Sequence, residues 1–211
     1  MRFWNRIDKD ADYAADWSYL QRQRTKGELL SALQISAQKY TSDDLDIMMV
    51  HYDAKIKHLP AEYRRRLERF ARIQITEGYN RLSTAVLDKI HEKERLSILW
   101  HEYASFAKKE SSKDNGRLSG LKYLIAAFAM FIEEIPPHPV GMPFPGGLEV
   151  ECYDGVYYCP VKDLWNDEDS ALCRFCPAVQ SRERDIVLSK KERDAACRDE
   201  KISNYFYNFK G

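Results

Sequence analysis

The sequence predicts a mainly α-helical protein, with a helical bundle over residues 1–135 and a small module containing a β-hairpin over residues 136–211. Apolar residues recur at helical spacing through the first part. A segment rich in proline and glycine then interrupts the helices, and strand-favouring residues follow it. With 44% hydrophobic residues, the 211-residue chain can bury one good-sized core, so we expect both parts to pack as one unit.

The bundle is predicted to consist of amphipathic helices, each with its apolar residues on one face. Thr41 and Ser42 are typical N-terminal caps, and Pro60 suits the first turn of the helix that follows it. Five apolar stripes predict these helices: Leu30, Leu33, Ala37 and Tyr40; Leu45, Met48, Met49, Tyr52, Ile56 and Leu59; Tyr63, Leu67 and Phe70; Tyr79, Leu82, Val86 and Ile90; Leu99, Tyr103 and Phe106.

The most apolar segment runs from Leu121 to Ile132 and ends directly before two glutamates. Because it is about half as long as a membrane span, it predicts a buried helix at the centre of the bundle. The polar segment 111–120 before it is predicted to be a loop, with Ser119 capping the apolar helix. The N-terminus carries acidic residues where a secretory signal needs an apolar stretch, which predicts a cytoplasmic protein.

The charges of the chain balance, with 33 basic and 33 acidic residues, which disfavours nucleic acid and anionic membranes as partners. Arg65, Arg69 and Arg72 form one basic stripe, but Glu62 and Glu68 dilute it, so a solvated helix face is the favoured interpretation. The sequence has no P-loop, nucleophile elbow or dinucleotide fingerprint, and it predicts no particular reaction. Another protein is the expected partner.

The segment 136–147 marks the boundary between the two parts. It holds five of the eight prolines and three of the nine glycines, a composition that a helix interior does not tolerate. The sequence LEVECYDGVYYCPV that follows predicts a hairpin with a two-residue turn at the Asp-Gly pair 154–155. That turn places Cys152 and Cys159 on the same face as diagonal neighbours, too far apart for an easy disulfide but able to share a metal site.

All five cysteines lie after residue 150, and three of them form a pattern suited to a metal. Cys173 and Cys176 have the spacing that turns two sulfurs towards one centre, and Cys159 on the hairpin can close a third side. Three residues are candidates for the fourth ligand: Cys197, His138 and Cys152. Since thiols stay reduced in the cytoplasm, a metal site is favoured over a disulfide framework. A thioredoxin-type motif is disfavoured because it sits between a strand and a helix of a parallel sheet, and this sequence shows no such alternation. Buried thiols that act as small hydrophobes are the structural alternative to a metal site.

Two kinds of metal centre compete for these residues. An iron-sulfur cluster tolerates scattered ligands, and the prolines after Cys159 and Cys176 match the proline that follows the last cysteine of bacterial ferredoxin motifs. Zinc is the alternative, although zinc sites are usually built from two knuckles and only one is present. The cluster predicts a redox or metalloenzyme-accessory role, and zinc predicts a non-catalytic adaptor. A third hypothesis is an enzyme in which only three protein ligands hold the metal and one coordination position stays open.

The segments HPVGMPFPGG, YYCPV and ALCRFCPAVQ, in this order, resemble an uncharacterised family of methanogenic archaea catalogued as a domain of unknown function. The resemblance is closest over residues 138–180. It implies a cytoplasmic protein of a strict anaerobe, a setting in which iron-sulfur centres are easily kept, and it implies no activity. The resemblance favours His138 and the cysteines of these motifs as ligands, and it leaves Cys152 and Cys197 outside.

Overall fold

The computed structural model describes residues 13–112, 116–165 and 171–181, and most of these residues are helical. The helices are α1 (Tyr13–Leu20), α2 (Lys26–Ala37), α3 (Ser42–Ile56), α4 (Ala61–Arg72), α5 (Gly78–Thr84), α6 (Trp100–Ser111), α7 (Gly116–Phe131) and the short α8 (Lys162–Trp165). The strands are β1 (Pro143–Phe144), β2 (Leu148–Glu149), β3 (Glu151–Tyr153), β4 (Val156–Cys159) and β5 (Val179–Gln180). The predicted fold class, mainly helical with a small sheet towards the C-terminal end, is confirmed.

Helix α7 lies at the centre of the bundle, as its apolar sequence predicts. Every residue from Tyr123 to Phe131 is buried, and α2, α5 and α6 pack around the helix. Trp100 and Tyr103 of α6 are fully buried, and their rings lie 5.2 and 5.1 Å from the ring of Phe131. Within the described ranges, no helix combines the length and the apolar character that a membrane crossing requires.

The loop predicted over residues 111–120 is too long, because α7 begins at Gly116 and Ser119 lies inside the helix rather than at its cap. Arg117 in the first turn explains the difference. Its guanidinium donates to both carboxylate oxygens of Asp44 in α3, at 2.6 and 2.7 Å. This ion pair stabilises the first turn of α7 through a tertiary contact that local sequence does not reveal.

The helix predicted from the stripe Tyr79, Leu82, Val86 and Ile90 is too long, so the prediction is wrong in its second half. Helix α5 ends at Thr84, and Val86 and Ile90 are 89% and 76% exposed. The amide Nε2 of Gln34 in α2 donates to the carbonyl oxygen of Leu82 at 3.1 Å, so a side chain satisfies one of the carbonyls at the end of α5. The chain is then free to leave the helix before the stripe ends.

The hairpin between β3 and β4 has the predicted turn and the predicted register. Cys152 pairs with Tyr157 across the two strands. Asp154 and Gly155 have φ angles of 50° and 77°, and a type I′ turn requires this left-handed conformation at both positions. A second hairpin, which the sequence did not predict, joins β1 to β2 through the two glycines 146–147.

Strand β5 pairs parallel to β4, so that Tyr158 lies opposite Val179 and Cys159 lies opposite Gln180. The sequence did not predict this strand. The connection from β4 to β5 contains α8 and a 3-10 turn, Cys173–Phe175. Because parallel strands run side by side, the connection brings the C-x-x-C segment back beside the end of β4.

Candidate metal centre

Cys159 is the last residue of β4 and is 6% exposed. Its backbone carbonyl accepts a hydrogen bond from the amide of Ser181 at 3.0 Å, which fixes its position on the side of β5. The backbone N–H groups of Val161 and Lys162, in the turn that follows, hydrogen-bond to its sulfur. Cys159 is therefore held by the sheet at its backbone and by the following turn at its thiol.

The C-x-x-C segment is a 3-10 turn, Cys173–Phe175, followed by Cys176 in an extended conformation. The amide of Cys176 donates to the carbonyl oxygens of Leu172 and Cys173, both at 3.2 Å. The backbone N–H of Ala178 hydrogen-bonds to the sulfur of Cys176. The turn therefore holds both cysteines in one compact segment.

Phe175 anchors this segment to the helical bundle. Its side chain is 4% exposed, and its ring lies 5.2 Å from the ring of Tyr103 and 5.5 Å from that of Phe106. Aromatic pairs at these separations add to the free energy gained from burial. The position of the two cysteines therefore depends on a residue between them that packs into the core of the bundle.

Lys162 of α8 joins the C-x-x-C segment to the turn after Cys159. Its ammonium group donates to the carbonyl oxygens of Cys173 and Cys176, the latter at 2.6 Å. Its positive charge also favours the thiolate form of all three thiols, and so limits the rise in pKa that burial causes. Lys162 therefore joins the two segments by hydrogen bonds, and its charge acts on all three thiols.

Gln180 of β5 makes a second link. Its amide Nε2 donates to the carbonyl oxygen of Pro160 at 3.0 Å, and its Oε1 accepts from the amide of Asp163 at 2.8 Å. These hydrogen bonds hold the chain between Cys159 and α8 against β5. Hydrogen bonds from Lys162 and Gln180 thus hold the two cysteine-bearing segments together.

The three thiols, which we call the cysteine group (Cys159, Cys173 and Cys176), all have raised pKa values. Burial is the largest cause for each of them. The pKa of Cys173 is raised to about 11, by burial and then by the neighbouring Cys159 and Cys176. Lys162 and the backbone N–H groups oppose the rise without cancelling it. Without a metal, these thiols stay protonated at neutral pH, which is unsuited to a nucleophilic cysteine.

Cys159 is close enough to raise the pKa of both Cys173 and Cys176, but the three thiols are not arranged around a single ion. Within the described ranges, no set of three or more His, Cys, Asp or Glu side chains is positioned to hold one metal ion. The chemistry of the group nevertheless suits a metal, because a cation would replace the thiol protons and offset the repulsion between thiolates. A fourth ligand is needed to close such a site.

The three candidates for the fourth ligand lie in different places. Cys152 is exposed on β3. His138 is half-buried, and its ring packs against Phe144 at 5.8 Å; its pKa is lowered to about 4 by burial and by the charge of Lys122. Those contacts tie His138 to β1 and α7 rather than to the cysteine group. Cys197 lies outside the described residues, so its candidacy stays a prediction.

Lys162 and Gln180 are the residues of this site that sequence reasoning missed. Lys162 follows the Cys-Pro pair 159–160 by two positions, and Gln180 follows the Cys-Pro pair 176–177 by three. A polar residue shortly after each Cys-Pro pair is the only local signal for them. Their partners lie in the other segment, and the parallel pairing of β4 and β5 brings the two together.

The fold and this site define a helical protein with a small cysteine-bearing module that is anchored to the bundle by an aromatic residue. A family model described as an uncharacterized protein conserved in archaea (DUF2115) matches residues 25–181. The chain belongs to this family, which confirms the resemblance to a family of methanogenic archaea.

The relatives of the chain come from methanogens. A UPF0305 protein of Methanothermobacter thermautotrophicus is 30% identical over 165 residues, which is 75% of this chain and 98% of the relative. Another match to a UPF0305 protein of that organism is 52% identical over 58 residues, which span 28% of this chain and only 37% of the relative. A UPF0305 protein of Methanocaldococcus jannaschii is 28% identical over 137 residues, 62% of this chain and 82% of the relative. No solved structure gave a significant match to the chain.

Proposed function

We propose that the cysteine group ligates a metal centre, and that this centre is an iron-sulfur cluster used in electron transfer or in the service of an anaerobic metalloenzyme. The observation that carries the proposal is the convergence of two segments, in which the buried thiol of Cys159 and the half-buried thiols of Cys173 and Cys176 all interact with the charge of one lysine, Lys162. Buried thiols with raised pKa values make poor nucleophiles, whereas a metal binds them as thiolates and releases their protons.

The sequence around the thiols favours a cluster over a single ion, because prolines follow Cys159 and Cys176 as a proline follows the last cysteine of bacterial ferredoxin motifs. In a zinc site all four sulfurs lie about 2.3 Å from one ion, which holds them close to each other. In a cluster the cysteines bind different iron atoms, so their sulfurs lie farther apart. A cluster therefore tolerates ligands from separate segments, such as β4 and the C-x-x-C turn. The N–H groups aimed at the sulfurs of Cys159 and Cys176 are of the kind that tune the potential of a cluster.

Structural zinc is the second candidate, and the small size of the module favours it. The five strands in the described part of the module are two to four residues long, and β3 is largely exposed. Such short strands bury little apolar surface of their own, so a metal would supply free energy of folding that the module lacks. In that case the protein is a non-catalytic adaptor that binds another protein. Cys197 and His138 are the proposed fourth ligands under either hypothesis.

The test is metal content together with the visible absorption spectrum of the protein purified without oxygen. Iron and sulfide in stoichiometric amounts, with a broad visible band that bleaches on reduction, would support the cluster. Stoichiometric zinc in a colourless protein whose module unfolds when a chelator removes the metal would support the adaptor. Protein that binds neither metal would overturn both proposals.

The chain offers a matched pair of variants for this test. Cys159→Ser removes a buried thiol of the cysteine group, and we expect it to lose the metal. Cys152→Ser removes an exposed thiol on the neighbouring strand and should keep the metal content of the wild type. Equal metal content in both variants would show that the metal is bound elsewhere. Cys197→Ser and His138→Gln then identify the fourth ligand, which is the one whose loss releases the metal.

A further inference from the structure

A cleft borders the C-x-x-C segment at Arg174, and no cysteine is among the described residues that line it. It has a volume of about 540 Å³ and is formed by one face of α6, by Gln21 after α1 and by Arg174 between the two cysteines. Small-molecule sites usually fall in the range of about 300 to 1,000 Å³. The cleft is therefore large enough for a small organic ligand.

Arg174 is held in this cleft by stacking. Its guanidinium carbon lies 4.5 Å from the centre of the Phe175 ring and 5.4 Å from that of Phe106. In the part of the chain that the structure describes, no carboxylate pairs with Arg174. A guanidinium that stacks on rings keeps its in-plane N–H groups for a planar oxyanion, and the stacking reduces the entropy that binding would cost.

The rest of the cleft wall is mostly polar and carries a second cation. Lys109 lines the cleft, is exposed, and has no ion pair among the described residues. The amide Nε2 of Gln21 donates to the hydroxyl of Ser105 at 2.7 Å and to the carbonyl oxygen of His101 at 3.2 Å, which fixes this wall. Glu102 is the one acidic residue among those that line the cleft, so the two cations outnumber it.

We propose that this cleft binds a small organic oxyanion, either a carboxylate or a phosphate ester, whose apolar body lies near Phe106. Arg174 binds the oxyanion with two parallel hydrogen bonds, and Lys109 adds a second positive charge. This inference does not rest on the metal centre. It does place the ligand beside the cysteine group, because Arg174 belongs to the same four-residue segment as Cys173 and Cys176.

The test is calorimetric titration of the full-length protein with phenyl phosphate, benzoate and phenol at constant ionic strength. The three probes share an aromatic body and differ in their polar group. We expect one or both anions to bind and phenol to bind at least tenfold more weakly. Tighter binding of phenyl phosphate assigns the site to phosphate esters, and tighter binding of benzoate assigns it to carboxylates. Equal affinity for all three probes would overturn the proposal.

Variants locate the site. Arg174→Gln should weaken binding of the preferred anion about tenfold or more, and Lys109→Gln should weaken it to a smaller extent. Arg174→Lys keeps the charge but loses the planar fork, so we expect an intermediate affinity. Arg65→Gln, an exposed arginine on α4 that does not line the cleft, should bind like the wild type. Unchanged affinity in both Arg174→Gln and Lys109→Gln would also overturn the proposal.

Discussion

Replacing Phe175 with alanine should detach the C-x-x-C segment from the helical bundle. The side chain is 4% exposed and packs against Tyr103 and Phe106, so the substitution removes two aromatic contacts and leaves a cavity. Changes of this kind cost about 3 to 5 kcal/mol of the free energy of unfolding. For a chain of this size, that loss lowers the Tm by roughly 6 to 20 °C.

The detachment can be measured separately from the loss of global stability. In metal-free protein, the rate at which Cys173 and Cys176 react with a thiol reagent reports the local opening of their segment. If Phe175→Ala weakens that attachment by about 3 kcal/mol, the labelling rate rises about 100-fold. Phe70→Ala is the matched control, because Phe70 is 9% exposed and belongs to a separate apolar cluster with Met142 and Val150.

The control variant should lose stability with little change in the labelling of the two cysteines. Mass spectrometry identifies which cysteines are labelled in each of the two variants. If Phe175→Ala lost less than about 1 kcal/mol, or if both variants labelled at equal rates, Phe175 would not be the anchor of the segment.

Three further predictions concern charges and protons. Lys162→Met removes a positive charge that favours the thiolate form of the cysteine group, so we expect weaker metal binding in a competition assay, with Lys89→Met as the exposed control. Binding of one metal centre at neutral pH should release about three protons to a pH indicator, because three raised-pKa thiols must deprotonate; no release would mean that other groups bind the metal. Burial alone would raise the pKa of Asp44, but hydrogen bonds from Arg117 and from the backbone before it lower the pKa below the usual 3.8. The stability that this carboxylate contributes is therefore present above about pH 4 and lost as the pH falls through the folded-state pKa. Asp44→Asn should cost about 3 kcal/mol at pH 7 and progressively less in acid when followed by urea unfolding, whereas the exposed Asp43→Asn should cost little at either pH.

Features of the fold that depend only on residues close to each other in the sequence could be predicted from the sequence. The stripe Leu45, Met49 and Ile56 predicts the buried face of α3, because residues three, four and seven positions apart fall on one side of a helix. The turn at residues 154–155 predicts the register of β3 and β4, because a two-residue turn leaves only one way to pair the strands. The cysteine spacing selected Cys159, Cys173 and Cys176 without any knowledge of their contacts.

Prediction from the local sequence pattern failed at two helix ends, where a side chain from a distant part of the chain decides where the helix starts or stops. Helix α7 starts early because Arg117 reaches Asp44, and α5 stops early beside the amide of Gln34. Neither partner lies near the affected helix end in the sequence. A helix end is marginal in free energy, so one hydrogen bond from elsewhere in the fold can move it by a turn.

The sequence by itself determined the helical class, the central apolar helix, the hairpin and the identity of the grouped cysteines. Only the tertiary structure decided that β5 lies parallel to β4, that Lys162 donates to the carbonyl oxygens of Cys173 and Cys176, and that Arg174 stacks in a cleft. Helical and hairpin patterns reflect contacts within a few residues, which periodicity and turn chemistry record directly. Parallel pairing and the burial of Phe175 join segments that are far apart in the chain, and their free energy comes from surfaces that exist only after the bundle has formed.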